Sequence, residues 1–370
     1  MTEFKKKLHN KYFQRCLGFL PSQATPYDSS RTALAYFCIS GLSLLGTLER
    51  DISITERQQW IDWLHLNMVP SGDGFRGSAT HKLLTEDLEY DGANLPATYF
   101  SIMSLAALRD GSFREKLDRD KICRFVGKCQ REDGSFAPNW SPDRGPFGEN
   151  DLRCNYMATG ILKALRASKE LVNEVMNVPK AIEFILSTRG YDGGLGQTKD
   201  AESHAGLTFC GLASLSLILE YYKKGDMTIW DMCDWNKTVQ WLSHRQIFAI
   251  CGPEENEDDG GLNGRINKPA DTCYAFWCAA SLEILLGTGN SNTIINSKRA
   301  ESYLLDQAQH KLFGGFAKVA GETPDQMHSF LGLSALSLLD TSTKEEHGLL
   351  SLMPSLVVTE QTAKWLTAED

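Results

Sequence analysis

The sequence predicts an all-α fold: an α-α barrel, or toroid, of about six helical hairpins with an inner and an outer ring of helices. Three observations predict it. Six nearly apolar stretches recur, amphipathic stretches fall between them, and a glycine turn precedes most of the apolar ones. The chain, 1–370, reads as one barrel domain built from repeats at approximately 30–48, 57–110, 119–166, 179–222, 235–287 and 298–340. No strand alternation stands out.

The apolar stretches share an aromatic start, small residues in the middle and a leucine six positions on. They run Tyr36–Leu42, Tyr99–Leu105, Tyr156–Leu162, Phe209–Leu215, Phe276–Leu282 and Phe330–Leu336. A stretch apolar on all sides is a buried helix. The amphipathic candidates are 57–66, 119–130, 179–186, 235–242 and 298–307, which form the outer ring. Glycine turns at Gly72–Phe75, Asp133–Phe136, Asp192–Leu195, Asp259–Leu262 and Gly314–Phe316 supply positive φ or close backbone approach. An open solenoid would need polar caps. The first and last apolar stretches are as apolar as the rest, so a closed ring is expected.

In such a ring the inner helices run parallel and their N-termini gather at one mouth. Five residues before each aromatic start stand Arg31, Asn94, Asp151, His204, Asp271 and Asp325, all polar. Three before stand Ala33, Pro96, Arg153, Gly206, Cys273 and Met327. This register puts Asp271, Cys273 and His328 at one level on adjacent helices. Asp, Cys and His are zinc ligands, and three protein ligands leave a coordination position open. Asp325 either replaces Asp271 as a ligand or orients His328 from behind. Arg265, Lys268, His204 and Lys318 form a basic patch around the same mouth, where six helix dipoles also favour an anion. Aromatic residues Tyr36, Phe37, Tyr99, Tyr156, Phe209, Phe276 and Trp277 are candidates for the barrel wall, most of them as core.

Composition narrows the function classes. The hydrophobic fraction of 42% supports a large core, and a net charge of −9 argues against nucleic acid as a ligand. Ten scattered cysteines form no CxxC pair and read as buried thiols of a reducing compartment. No run of 18 apolar residues occurs, so no membrane span is expected. The N-terminus lacks an apolar signal core and the C-terminus lacks a lipidation box, so a cytoplasmic location is expected. The acidic run within Ile247–Asp258 has no evident role.

The glycine-turn repeats, Glu202-Ser-His204-Ala-Gly206, Arg265-x-x-Lys268-Pro-x-Asp271-x-Cys273-Tyr274-x-Phe276-Trp277 and Pro324-Asp325-x-x-His328 resemble the β subunits of protein prenyltransferases over nearly the whole chain. The resemblance implies one zinc, an obligate α subunit, and alkylation of a C-terminal cysteine by an isoprenoid diphosphate. By position it makes Asp271, Cys273 and His328 the zinc ligands. His204, Arg265, Lys268 and Tyr274 become diphosphate binders, and Arg153, Gly206 and Trp277 isoprenoid contacts. Two positions discriminate within the family. Farnesyltransferases carry Trp where this chain has Ala33, and a methyl there is expected to leave space at the pocket floor for a twenty-carbon chain. They also carry a Mg²⁺-associated Asp where this chain has Lys318, so Mg²⁺ is expected to be dispensable. Both point to the type I branch, which uses geranylgeranyl diphosphate and acts on CaaX ends with Leu or Phe last, such as those of Rho-type small GTPases. The alternatives are a farnesyl-transferring subunit, the vesicular-GTPase-modifying subunit, a terpene cyclase on a similar barrel, and a non-catalytic ring that docks peptides.

Overall fold

The computed structural model describes residues 2–20, 22–82, 91–222, 225–248, 258–339 and 341–368. Residues 249–257 of the acidic stretch lie outside them. Among the described residues, the inner helices are Arg31–Leu44, Leu95–Ala107, Leu152–Ala164, Ala205–Tyr222, Thr272–Leu286 and Gln326–Leu339. Each packs on the next, and the sixth packs on the first, so the ring is closed.

The outer helices are Lys6–Gly18, Ile54–Leu66, Arg119–Lys128, Val178–Ser187, Asn236–Ser243 and Ser297–Ser302, the last continuing as a π turn over Tyr303–Ala308. Five match the amphipathic stretches. Lys6–Gly18 was not among the expected helices, and it supplies the outer partner of the first inner helix. Its buried face, His9, Tyr12, Phe13 and Cys16, has helical spacing but is interleaved with lysines and polar residues.

The glycine turns explain how neighbouring hairpins are fixed. The residue after each turn, Phe75, Phe136, Leu195, Leu262 or Phe316, is fully buried. Each makes one antiparallel bridge to the end of its own outer helix. The glycine itself abuts the next outer helix. A Cβ on Gly134 would lie 2.1 Å from the Lys180 carbonyl oxygen, and one on Gly314 would lie 2.3 Å from that of Leu8. Both glycines have positive φ, 89° and 72°. Gly314 of the last hairpin thus seats the first outer helix and closes the outer ring.

The polar residue five before each aromatic start is an N-cap in most copies. Asn94 accepts from the Ala97 N–H, Asp151 from Arg153 and Asp271 from Cys273. His204 accepts through Nδ1 from Gly206, and Asp325 accepts from His328. Capping satisfies backbone donors that have no partner inside the helix. Arg31 departs from the pattern: it is the first helical residue and pairs with Asp28.

Short helices such as Lys169–Val175 and Glu360–Thr367 add to the two rings, and three short antiparallel ribbons, not expected from the sequence, are present as well. They pair Asn139–Ser141 with Gly145–Phe147, Phe316–Ala317 with Pro324–Asp325, and Leu352–Met353 with Val358–Thr359. The fourth inner helix, Ala205–Tyr222, is long and apolar enough to cross a membrane by length and composition, although Thr208, Ser214, Ser216 and Glu220 interrupt any continuous apolar run. In this fold it lies within the ring, against the third and fifth inner helices.

Candidate metal centre and adjoining cavity

At the mouth, the N-termini of the fifth and sixth inner helices bring Asp271, Cys273 and His328 together. One ligand atom from each falls within 4.8 Å of the others, and all three residues are buried. Nε2 of His328 lies 3.2 Å from Oδ1 of Asp271. Nδ1 of His328 lies 2.5 Å from Oδ2 of Asp325. Asp325 therefore sits behind the imidazole and leaves Nε2 facing Asp271 and Cys273. Of the two roles open for Asp325, the geometry favours orientation of His328.

The electrostatics fit a cation. Burial opposes charge on His328, but hydrogen bonds to Asp271 and Asp325 outweigh it and push its pKa up to about 9. Burial and the neighbouring Asp271 raise the Cys273 thiol well above its ordinary range. The set of one oxygen, one sulfur and one nitrogen suits a borderline cation such as zinc.

Cys273 also lines a cavity of about 440 Å³. Arg153, His204 and Tyr274 stand at its polar end, and Tyr36, Phe37, Phe100 and Phe330 line its apolar part. Phe209 and Phe276 do not line it. They are fully buried and stack behind it, with Phe209 against Trp277 at 4.9 Å. A second hollow of about 590 Å³, walled by Phe113, Leu165 and Trp365, holds none of the expected site residues.

His204 is fixed on both ring nitrogens. Its Nδ1 accepts from the Gly206 N–H at 3.1 Å, so Nε2 carries the proton toward the Tyr274 hydroxyl at 3.0 Å. Burial, then the charges of Arg265 and Arg153, lower its pKa and keep it a neutral donor. Gly206 allows this fold-back: a Cβ there would lie 3.2 Å from the imidazole. The Tyr274 ring packs flush on Gly264, where any Cβ would overlap it. Arg265 is half-buried at the rim and pairs with Glu202 at 3.0 Å. Arg153 is gripped by Asp151, with Nη2 to Oδ2 at 2.6 Å.

Lys268, Lys318 and Ala33, like Arg265, stand apart from this lining. Lys268 is exposed on a loop pinned by Asn263, whose amide donates to the Lys268 carbonyl at 3.0 Å. Lys318 is exposed, but its carbonyl accepts from the Thr272 N–H at 2.9 Å, which places its backbone beside the Asp271 cap. Ala33 is half-buried one helical turn above Phe37, at the mouth end rather than the cavity floor. Gln197 and Met327 line the cavity and were not expected there. Met327 was legible, since it holds the mouth position equivalent to Cys273.

A closed ring of helical hairpins with a buried Asp–Cys–His cluster that could hold a metal ion, beside an apolar cavity, defines an α-α toroid of this architecture. Residues 4–358 match the prenyltransferase alpha-alpha toroid domain, and the chain belongs to that family. It is 32% identical to the geranylgeranyl transferase type-1 subunit beta of Arabidopsis thaliana, over 96% of this chain and 89% of the relative. It is 33% identical to the subunit of that name from Dictyostelium discoideum, over 88% of each chain. A solved structure of Candida albicans protein geranylgeranyltransferase-I complexed with GGPP superposes with a TM-score of 0.85 at 31% identity, covering 99% of this chain and 98% of that one.

Proposed function

We propose that this chain is the catalytic β subunit of a zinc-dependent type I protein geranylgeranyltransferase. It would move a geranylgeranyl group from geranylgeranyl diphosphate to the cysteine of a C-terminal CaaX motif. The observation that carries the reading is that Cys273 belongs both to the Asp271–His328 cluster and to the wall of the apolar cavity. A metal held there is adjacent to whatever the cavity holds. The type-1 relatives and the superposable GGPP complex support the same reading. Residues 1–370 would act as one domain, in the cytoplasm, with an α subunit as obligate partner and Rho-type GTPases among its substrates.

The residues divide the work. Asp271, Cys273 and His328 would hold zinc, which when bound favours the thiolate form of a substrate cysteine near neutral pH. The cavity between Phe37, Phe100 and Trp277 would hold the isoprenoid and exclude water. In the transfer a sulfur–C1 bond forms, the C1–oxygen bond breaks, and diphosphate leaves. Tyr274 and His204 present donors at the polar end of the cavity, and Arg265 and Lys268 add charge at its rim. Donors aimed at developing charge contribute most to rate. Lys318 would meet the leaving diphosphate without a second metal.

The test is co-expression with an α subunit, followed by metal analysis and mass spectrometry of a CaaX peptide ending in Leu. The reading requires about one zinc per β chain and a peptide carrying one geranylgeranyl group. A metal-free heterodimer, or an unmodified peptide, would refute it.

A further inference from the structure

A segment that follows the last inner helix reaches the cavity from the end opposite the mouth. Leu352–Met353 and Val358–Thr359 form a hairpin whose tip is Pro354–Val357. Its base lies at the deep end of the ring: the Leu350 N–H donates to the Leu44 carbonyl at 2.9 Å, and Thr359 meets Ser43 at 3.3 Å. Its tip rises inside the ring to the level of the aromatic starts. The Tyr36 hydroxyl donates to the Val357 carbonyl at 2.6 Å, and the Tyr99 hydroxyl to the Leu356 carbonyl at 2.9 Å. Tyr156 buttresses Tyr99, hydroxyl to hydroxyl, at 2.6 Å.

Val357 lines the cavity, is 4% exposed and has φ of 54°. A β-branched residue in the left-handed region is a conformational outlier, and glycine is the residue that takes such positions without cost. Strain of this kind persists where the surroundings over-determine it, and it concentrates at ligand sites. Here two tyrosine hydroxyls fix the two carbonyls at the tip. Glycine would relax the backbone here, but it would also give up a side chain that is buried in the core. The valine supplies an isopropyl group at the closed end of the cavity.

We propose that Val357, held by Tyr36 and Tyr99, is the end stop that limits the length of isoprenoid the cavity admits. The inference rests on the isoprenoid-binding reading above and adds a specificity determinant outside the mouth. An isoprenoid tail too long for the cavity would meet this tip. Apolar pockets exclude oversized ligands by clash more sharply than they discriminate against small ones.

The test uses the heterodimer with its α subunit and measures direct binding of the C15, C20 and C25 diphosphates through quenching of tryptophan fluorescence. In wild type the C25 donor should bind at least about tenfold more weakly than C20. Val357→Gly removes the isopropyl group and relieves the backbone at the cost of buried apolar area, so intact C20 binding is the check that this variant is folded. It should raise the C25-to-C20 affinity ratio by about tenfold while leaving C15 affinity within about twofold. Val357→Ala, which keeps a Cβ, should move the ratio in the same direction. An unchanged ratio in both variants, with C20 binding intact, overturns the end stop and leaves the enzyme reading standing. Equal binding of C20 and C25 by wild type overturns it as well. Failure of all three donors to bind removes both readings together.

Discussion

Oδ2 of Asp325 holds Nδ1 of His328 at 2.5 Å, so the other imidazole nitrogen is the one turned toward Asp271 and Cys273. The tautomer and ring orientation of a metal-binding histidine are commonly fixed by a carboxylate in this way. Cys273→Ala should therefore abolish stoichiometric metal binding. Asp325→Asn should keep the site and weaken it by about 10–100-fold, because a neutral amide orients the ring less firmly. Competition against a chelator of known affinity measures both. Equal affinity in wild type and Asp325→Asn would exclude the orienting role.

Lys318 places a fixed positive charge on the turn whose backbone caps the helix of Asp271. Turnover in zinc-containing, Mg²⁺-depleted buffer should not respond to added millimolar Mg²⁺. Lys318→Asp should create a Mg²⁺ response, since a carboxylate beside a diphosphate recruits that ion. Strong Mg²⁺ dependence of the wild type would contradict the role given to Lys318.

Ala33 lies one turn above Phe37 on the first inner helix. An indole at position 33 would project over the cavity wall at Phe37 and claim space beside a bound isoprenoid. Ala33→Trp should shift the ratio of kcat/KM from the twenty-carbon toward the fifteen-carbon donor. One methylene-sized contact accounts for only about 1–3 kcal/mol, whereas a steric clash discriminates more strongly. An unshifted ratio would move the discriminating role from Ala33 to residues of the lining itself, with Phe37→Ala as the next variant.

His9 predicts an acid-sensitive seam in the outer ring. It is fully buried between Phe4 and Phe316, with ring centroids 5.0 and 4.8 Å away. Its Nδ1 accepts from the Gly315 N–H at 2.9 Å and its Nε2 donates to Gln309 at 2.9 Å. Burial lowers its pKa to about 4, against the opposing pull of Gln309. The unfolded chain, with a histidine pKa near 6.5, takes up the proton first. Stability from this group is therefore intact above about pH 6.5 and is lost as pH falls toward 4, by about 3 kcal/mol in total. Thermal melts from pH 7 to 5 should show a smaller decline in His9→Gln than in wild type. Identical pH slopes would exclude His9 as the sensitive group.

The repeat register carried most of the fold and the centre of the site. Because the cap residue stands five before each aromatic start, counting along the chain placed Asp271, Cys273 and His328 at one level, as the structure has them. What counting cannot reach is anything set by side-chain reach or by a chain segment outside the repeats. Lys268 and Lys318 belong to the mouth in sequence, yet both side chains are exposed and off the cavity lining. Phe209 and Phe276 hold the same register as Tyr156 but turn into the helix seams. The first outer helix leaves a weak sequence signal because its buried face is only four residues interrupted by charge. The hairpin tip at Val357 has no repeat counterpart, and a strained valine leaves no mark in composition or period.

The central claim is tested most directly by kcat/KM of the zinc-loaded heterodimer for the twenty-carbon and fifteen-carbon donors, with a CaaX peptide ending in Leu as acceptor. The account predicts transfer to the peptide cysteine with clear preference for the twenty-carbon donor, and loss of that activity in Cys273→Ala. Preference for the fifteen-carbon donor, or activity that survives Cys273→Ala, would contradict it.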